Sequence, residues 1–128
     1  MKGIIDTTLR EGAQTVGVCF SLTQKLDIVK GLCRIGIEEI ELGIATRLDS
    51  DLEKLLTESR KLCKKTVFSL WSRCNKSDIA FAASLKPDIL SLSIPVSDLH
   101  IAKKLQKSRK WVVETVKESL LYAKKRNK

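Results

Sequence analysis

The sequence predicts an α/β fold made of four consecutive parallel β–α units. Three observations carry this. Short apolar runs alternate with stretches of helical periodicity, each pair occupies about 30 residues as a βα unit should, and no hairpin signal falls between them.

Residues 3–6 (GIID) form a short apolar run suited to a buried strand. SLTQ at 21–24 is a capping box: Ser21 caps the helix start and Gln24 reaches back to it. Leu22, Leu26, Val29, Leu32 and Cys33 then recur at three- and four-residue steps, predicting an amphipathic helix over 22–35 that Gly36 ends. IEEIELGIA (37–45) alternates and predicts the second strand. SDLE at 50–53 reads as a second capping box, followed by Leu52, Leu55, Leu56, Ser59, Leu62 and Cys63 on one helical face. TVFSLW (66–71) is β-branched and aromatic, a third strand. Asn75 or Ser77 starts a third helix that runs to about Leu85 before Pro87 stops it. DILSLSIPV (88–96) is the fourth strand, with Pro95 near its end. A long helical segment follows through Trp111, Val112, Thr115, Val116, Leu120 and Ala123, broken near Ser108.

Strands in such a sheet are buried on both faces, which suits their near-continuous apolar character. A complete (β/α)8 barrel needs about 250 residues. This chain of 128 residues has about half of that, so the pattern leaves two architectures open: a small open doubly wound sheet, or half of a barrel. Residues 1–128 are read as a single domain, able to bury about two-thirds of its unfolded surface.

The 43% apolar and 30% charged content is that of a globular protein and not of a disordered one. No apolar run approaches the roughly 20 residues that cross a bilayer, and Met1-Lys2-Gly3 leads into a strand, so no membrane association and a cytoplasmic setting are expected. Cys19, Cys33, Cys63 and Cys74 form no C-x-x-C pair and are expected to be buried free thiols. Residues 1–60 hold 8 Lys/Arg against 10 Asp/Glu, a net of −2, whereas residues 61–128 hold 16 against 5, a net of +11. These cations are interleaved with apolar residues at helical spacing, without a nucleic-acid motif, so solvated helix faces explain them better than a nucleic-acid surface.

The polar residues gather where the strands end. Arg10, Glu11 and Gln14 follow the first strand, Glu41 ends the second, Arg73 follows the third, and Ser97, Asp98 and His100 follow the fourth. In a parallel α/β fold these ends share the face that binds ligands. Arginine forks match the two oxygens of a carboxylate, and a glutamate beside them suits a hard divalent cation that a 2-oxo acid can chelate. Taken one at a time, each residue is an ordinary polar loop residue. Together they describe a site.

DTTLREGAQ, IEEIELGIA, SLWSRCNKSDI and LSLSIPVSDLHIAKKLQKSRKWV resemble the isopropylmalate and homocitrate synthase family of metal-dependent TIM barrels. The last two segments are most similar to homocitrate synthases of the nitrogen-fixation type. The resemblance covers essentially the whole chain and selects the N-terminal half of a (β/α)8 barrel. It implies an acyltransferase of the Claisen type, condensing acetyl-CoA with 2-oxoglutarate to homocitrate and CoA, or a related 2-isopropylmalate or citramalate-type reaction. It also implies that Arg10 holds the 2-oxo acid and the developing oxyanion, that Glu11 ligates a divalent metal (Mg or Mn, or else Zn), that Gln14 contacts the 2-oxo acid, and that Arg73 pairs with its carboxylate. His100 matches a family position near the substrate. Ala13 departs from the residue, often acidic, that relatives carry there.

The family completes its metal site with an H-x-H pair from the second half of the barrel, and this sequence has a single histidine, His100. Three states are therefore expected to compete: an inactive remnant, one half of a split enzyme completed by a second polypeptide, or a homodimer closing through the edges of the first and fourth strands. The non-enzymatic alternative is a basic module that binds anionic partners through residues 100–128.

Overall fold

A computed structural model describes residues 3–126. Its elements follow the expected order: β1 (Ile5–Asp6), a 3₁₀ turn (Gly12–Gln14), α1 (Leu22–Ile35), β2 (Glu39–Ile44), α2 (Leu52–Leu62), β3 (Val67–Arg73), α3 (Lys76–Ser84), β4 (Ile89–Ser93), α4 (Asp98–His100), a π turn (Ile101–Leu105) and α5 (Arg109–Arg126). The sheet order is β1-β2-β3-β4 and every pairing is parallel. Four sequential parallel strands joined by helices are the N-terminal half of a TIM barrel.

Local chemistry accounts for the helix boundaries. At α1 the capping box forms in both directions: Gln24 N donates to Ser21 Oγ at 3.3 Å and Ser21 N to Gln24 Oε1 at 2.9 Å. Gly36 closes the helix at φ 83°, a left-handed conformation that costs glycine nothing. The second capping box does not form. Asp51 is itself helical (φ −88°, ψ −16°) with no side-chain cap, because Asp49 Oδ1 takes the Asp51 N–H at 3.0 Å and so builds the turn first. Asn75 caps α3 by accepting from Asp78 N at 2.9 Å. Ser108 does the same for α5, accepting from Trp111 N at 3.1 Å, which explains the break in periodicity there.

The strands differ from expectation at their ends. β1 is two residues long, and β4 stops at Ser93 before the Ile94-Pro95 segment, since proline has no N–H to pair. β3 runs two residues further than expected, to Arg73, because β4 pairs with it through Arg73↔Ser93.

One face of the sheet packs on the helices. Ile40 and Leu42 of β2 and Phe68 and Leu70 of β3 meet Val29, Leu52, Leu55, Leu56 and Ala82 in a single buried cluster. By alternation, Glu39 and Glu41 of β2 and Ser69 and Trp71 of β3 belong to the other face, the interior of the barrel. Below this layer Asp88 acts as a clamp, accepting from Phe68 N at 2.8 Å and from Arg60 Nη2 at 2.6 Å. Glu38 accepts from Ile4 N at 2.9 Å, a bond that holds its carboxyl below the usual range. Ile5 (57% exposed) and Ile89 (41% exposed) mark strands with one neighbour each.

The cysteines correct the expectation of four buried free thiols. Cys33 at the end of α1 and Cys63 after α2 are joined as a disulfide with Cα atoms 6.2 Å apart, Cys19 is exposed, and Cys74 is half-buried. The pair meets because α1 packs on α2, which no spacing in the sequence announces. Among the described residues no helix is long and apolar enough to cross a membrane.

Candidate functional site

The loop after β1 is folded by its own polar groups. Asp6 accepts from Thr8 N at 3.0 Å and Thr8 Oγ1 at 3.1 Å, while Thr7 O receives the N–H groups of Arg10 (3.1 Å) and Glu11 (2.7 Å). Leu9, 3% exposed, anchors this turn in the core cluster. Arg10 is thereby held over the strand ends. Its Nε donates to Glu41 Oε2 at 2.6 Å, and its Nη1 bonds the neighbouring Glu11 carboxylate. Glu41 is 5% exposed, so Arg10 neutralises a carboxylate that burial would otherwise make costly. Nη2 of Arg10 has no protein partner among the described residues.

Glu11, in contrast, is well exposed, and Gln14 lies exposed in the following 3₁₀ turn. Arg10, Glu11 and Gln14 thus share one loop, as their spacing implies. Glu11 Oε2 is engaged with Arg10, and among the described residues no three His, Cys, Asp or Glu side chains gather into a metal-holding group. These residues do not by themselves form a divalent-metal site.

Arg73 and His100 lie together at a different part of the same sheet end. Both line a cavity of about 620 Å³ beyond β3 and β4, with Trp71, Lys104 and Trp111. Neither Arg10 nor Glu11 reaches it. A neighbouring cavity of about 490 Å³, between the ends of β2 and β3, shares Trp71 and Arg73. Arg73 Nε donates to Asp78 Oδ2 at 2.6 Å. Burial alone would push the Asp78 carboxyl up, but the bonds from Arg73 and Asn75, with the Arg73 charge, outweigh it and leave the group below the usual carboxylate range. His100 Nδ1 lies 2.7 Å from Ser97 Oγ, which also caps α4 by accepting from His100 N. Cys74, on the wall of the 620 Å³ cavity, has its thiol pushed up by burial, partly offset by a bond with Ser119.

Three of these participants are not among the sequence-predicted site residues. Trp71 could have been found by alternation, since it shares a strand face with Ser69 and Arg73. Lys104 and Trp111 could not, because the π turn that brings them to the cavity has no sequence signature.

A family model described as HMGL-like matches residues 2–128. The 2-isopropylmalate synthase 2 of Caldanaerobacter subterraneus subsp. tengcongensis is 38% identical over 122 residues, covering 95% of this chain and 32% of that protein. The homocitrate synthase subunit alpha of Clostridium pasteurianum is 37% identical over 120 residues, 94% of this chain and 44% of that protein. A homocitrate synthase of Saccharolobus islandicus is 36% identical over 126 residues, 95% of this chain and 27% of that protein. The chain therefore spans between 27% and 44% of the length of these relatives. With the parallel half-barrel and the strand-end arginines, a match over essentially all of its residues leaves one assignment: the chain belongs to the HMGL-like family.

Proposed function

We propose that residues 1–128 form one partial domain, the N-terminal half of an acyltransferase that condenses acetyl-CoA with a 2-oxo acid, of homocitrate synthase type with 2-oxoglutarate as acceptor. The observation that carries this is the Arg10–Glu41–Glu11 cluster at the strand ends of a chain related to homocitrate and 2-isopropylmalate synthases. Arg10, its charge set against a buried carboxylate and its Nη2 unengaged, would face the ketone oxygen and stabilise the alkoxide that forms when the acetyl carbanion attacks. Protonation of that alkoxide and hydrolysis of the thioester would release homocitrate and CoA. Gln14 would orient the 2-oxo acid, and Arg73 and His100 would bind an anionic end of a substrate.

Glu11 would give one carboxylate to a divalent metal, Mg or Mn, or else Zn, whose other ligands would come from outside the described residues. The base that removes the methyl proton would likewise come from the other half of a barrel. A second polypeptide is the favoured source, and the naming of one relative as a subunit supports it. A homodimer would bring no second kind of ligand. The proposed setting is the cytoplasm.

Titration of the purified chain with 2-oxoglutarate in the presence of Mg²⁺ or Mn²⁺, followed by NMR, tests the reading. Binding that Arg10→Ala and Glu11→Ala both abolish supports it. Binding indifferent to both substitutions, or none at all with or without metal, overturns it.

A further inference from the structure

We infer that the Cys33–Cys63 disulfide is a reversible thiol-exchange site, opened by a small thiol that carries carboxylates, and that its state fastens or frees the β1–α1 unit. The inference goes beyond the condensation reading and rests only on the cytoplasmic setting proposed above. In a reducing compartment a closed disulfide is as a rule exchanged rather than permanent.

The surroundings of the bond fit that chemistry. A cleft of about 260 Å³ opens onto it, lined by Lys30, Cys33, Arg34, Leu62 and Cys63. Cys33 is half-buried and Cys63 only 8% exposed, so Cys33 Sγ is the sulfur within reach. The charge there is one-sided. Lys30 pairs with Asp27 at 3.2 Å and Lys61 with Glu58 at 2.8 Å. Arg34, Lys64 and Lys65 are exposed and meet no carboxylate among the described residues. Cys33 and Cys63 sit at the carbonyl ends of α1 and α2, which disfavour a thiolate, and these cations offset that effect while drawing in an anionic thiol.

The thiolate of the small thiol attacks Cys33 Sγ. A bond forms between those two sulfurs, the Cys33–Cys63 bond breaks, and Cys63 Sγ leaves with the electron pair as a thiolate, with Lys64 and Lys65 following it in the chain. A second thiol attacks the small molecule's sulfur and releases the Cys33 thiolate, whose Sγ lies 3.8 Å from Thr66 Oγ1. The protons lost by the two small thiols end on Cys33 and Cys63. Two thiols are thereby oxidised to one disulfide, and one disulfide is reduced to two thiols.

The bond fastens the edge of the sheet. β1 has two residues and one neighbour, through Ile5↔Glu39 and Asp6↔Ile40. Beyond that pairing, the β1–α1 unit is held by the packing of Leu9 and Val29, by α1 on α2, and by the ion pairs Arg10–Glu41 and Lys25–Asp49. Opening the disulfide removes a covalent tie from the unit that carries the Arg10 loop and leaves β3, α3 and β4 paired as before.

The test incubates the oxidised chain in buffers of graded glutathione to glutathione disulfide, alkylates it with iodoacetamide in denaturant and weighs it. Alkylated cysteines are expected to rise from two, Cys19 and Cys74, to four as glutathione comes into excess, and to fall back when its disulfide does. Arg34→Gln is expected to slow opening by glutathione about fivefold and to leave opening by cysteamine, a cationic thiol, no slower. Lys110→Gln, outside the cleft, should change neither. By amide hydrogen exchange, reduction is expected to speed α1 at least about tenfold more than β4. A bond that stays closed in excess glutathione and opens only with denaturant or a thioredoxin would overturn the inference. So would equal slowing of both thiols in Arg34→Gln, or equal acceleration of α1 and β4. No readout involves a 2-oxo acid, so failure here and failure of the condensation reading are read separately.

Discussion

Arg10 and Glu41 are joined at 2.6 Å between the loop after β1 and the buried end of β2, so the residue proposed to meet an oxyanion is already balanced by an interior carboxylate. Removing the acid strips Arg10 of its buried anchor and leaves it paired with the exposed Glu11 carboxylate. Glu41→Gln is expected to cost about 2 kcal/mol of stability, read by urea unfolding, because one partner of a buried pair is lost. It is also expected to tighten 2-oxo acid binding, since the guanidinium would be shared with one carboxylate fewer. Unchanged stability would show that the pair is not closed in solution.

Cys33–Cys63 closes a loop across a sequence separation of 30. On the chain-entropy account, reduction is expected to lower stability by about 3.6 kcal/mol. Unfolding with and without dithiothreitol measures this, and Cys63→Ser should match the reduced value and not respond to reductant.

Asp88 carries two bonds of unequal worth. The pair with Arg60 is exposed enough to contribute little, whereas the Phe68 N–H it satisfies lies at a fully buried residue. Asp88→Asn is expected to cost about 1 kcal/mol and Asp88→Ala about 2, while Arg60→Ala should cost less than either. An Arg60 substitution as damaging as Asp88→Ala would reverse that ranking.

Acid should act through the carboxyls held low in the folded chain, two of which sit in ion pairs. Asp78, beside Arg73, and Asp98, beside Arg109, are both held below the usual carboxylate range in the folded chain. A depressed folded value contributes stability that is complete above the unfolded value of about 3.9 and disappears as pH falls through the folded one. Melting temperature is therefore expected to hold down to about pH 4 and then drop, with the drop shallower in Asp78→Asn and Asp98→Asn. A variant that melts with the parent's acid slope would remove that group from the account.

Where the fold was legible in the residues, the information was local. The bounds of α1 follow from Ser21, Gln24 and Gly36, each acting within one turn, and the four-unit alternation needs only each segment's own periodicity. SDLE carries the same letters of a cap, but the competing Asp49 turn lies just outside the motif and wins. Long-range pairs were not legible. Cys33 meets Cys63, Arg10 meets Glu41 and Trp71 meets the cavity of Trp111 only after helices and strands have packed. The loop of Arg10, Glu11 and Gln14 was readable as a group because it is contiguous, whereas Lys104 depends on a π turn.

The strict β1-β2-β3-β4 order has a consequence for synthesis. Each strand finds its partner in the unit made just before it: Ile5 waits for Glu39, Glu39 for Val67, Ser69 for Ile89, and none waits for the far end of the chain. A sheet of this kind can grow on the ribosome one unit at a time, every newly emerged strand docking on a finished neighbour. Gene-level breaks between such units fall on seams, severing one strand pairing and leaving the register on either side intact.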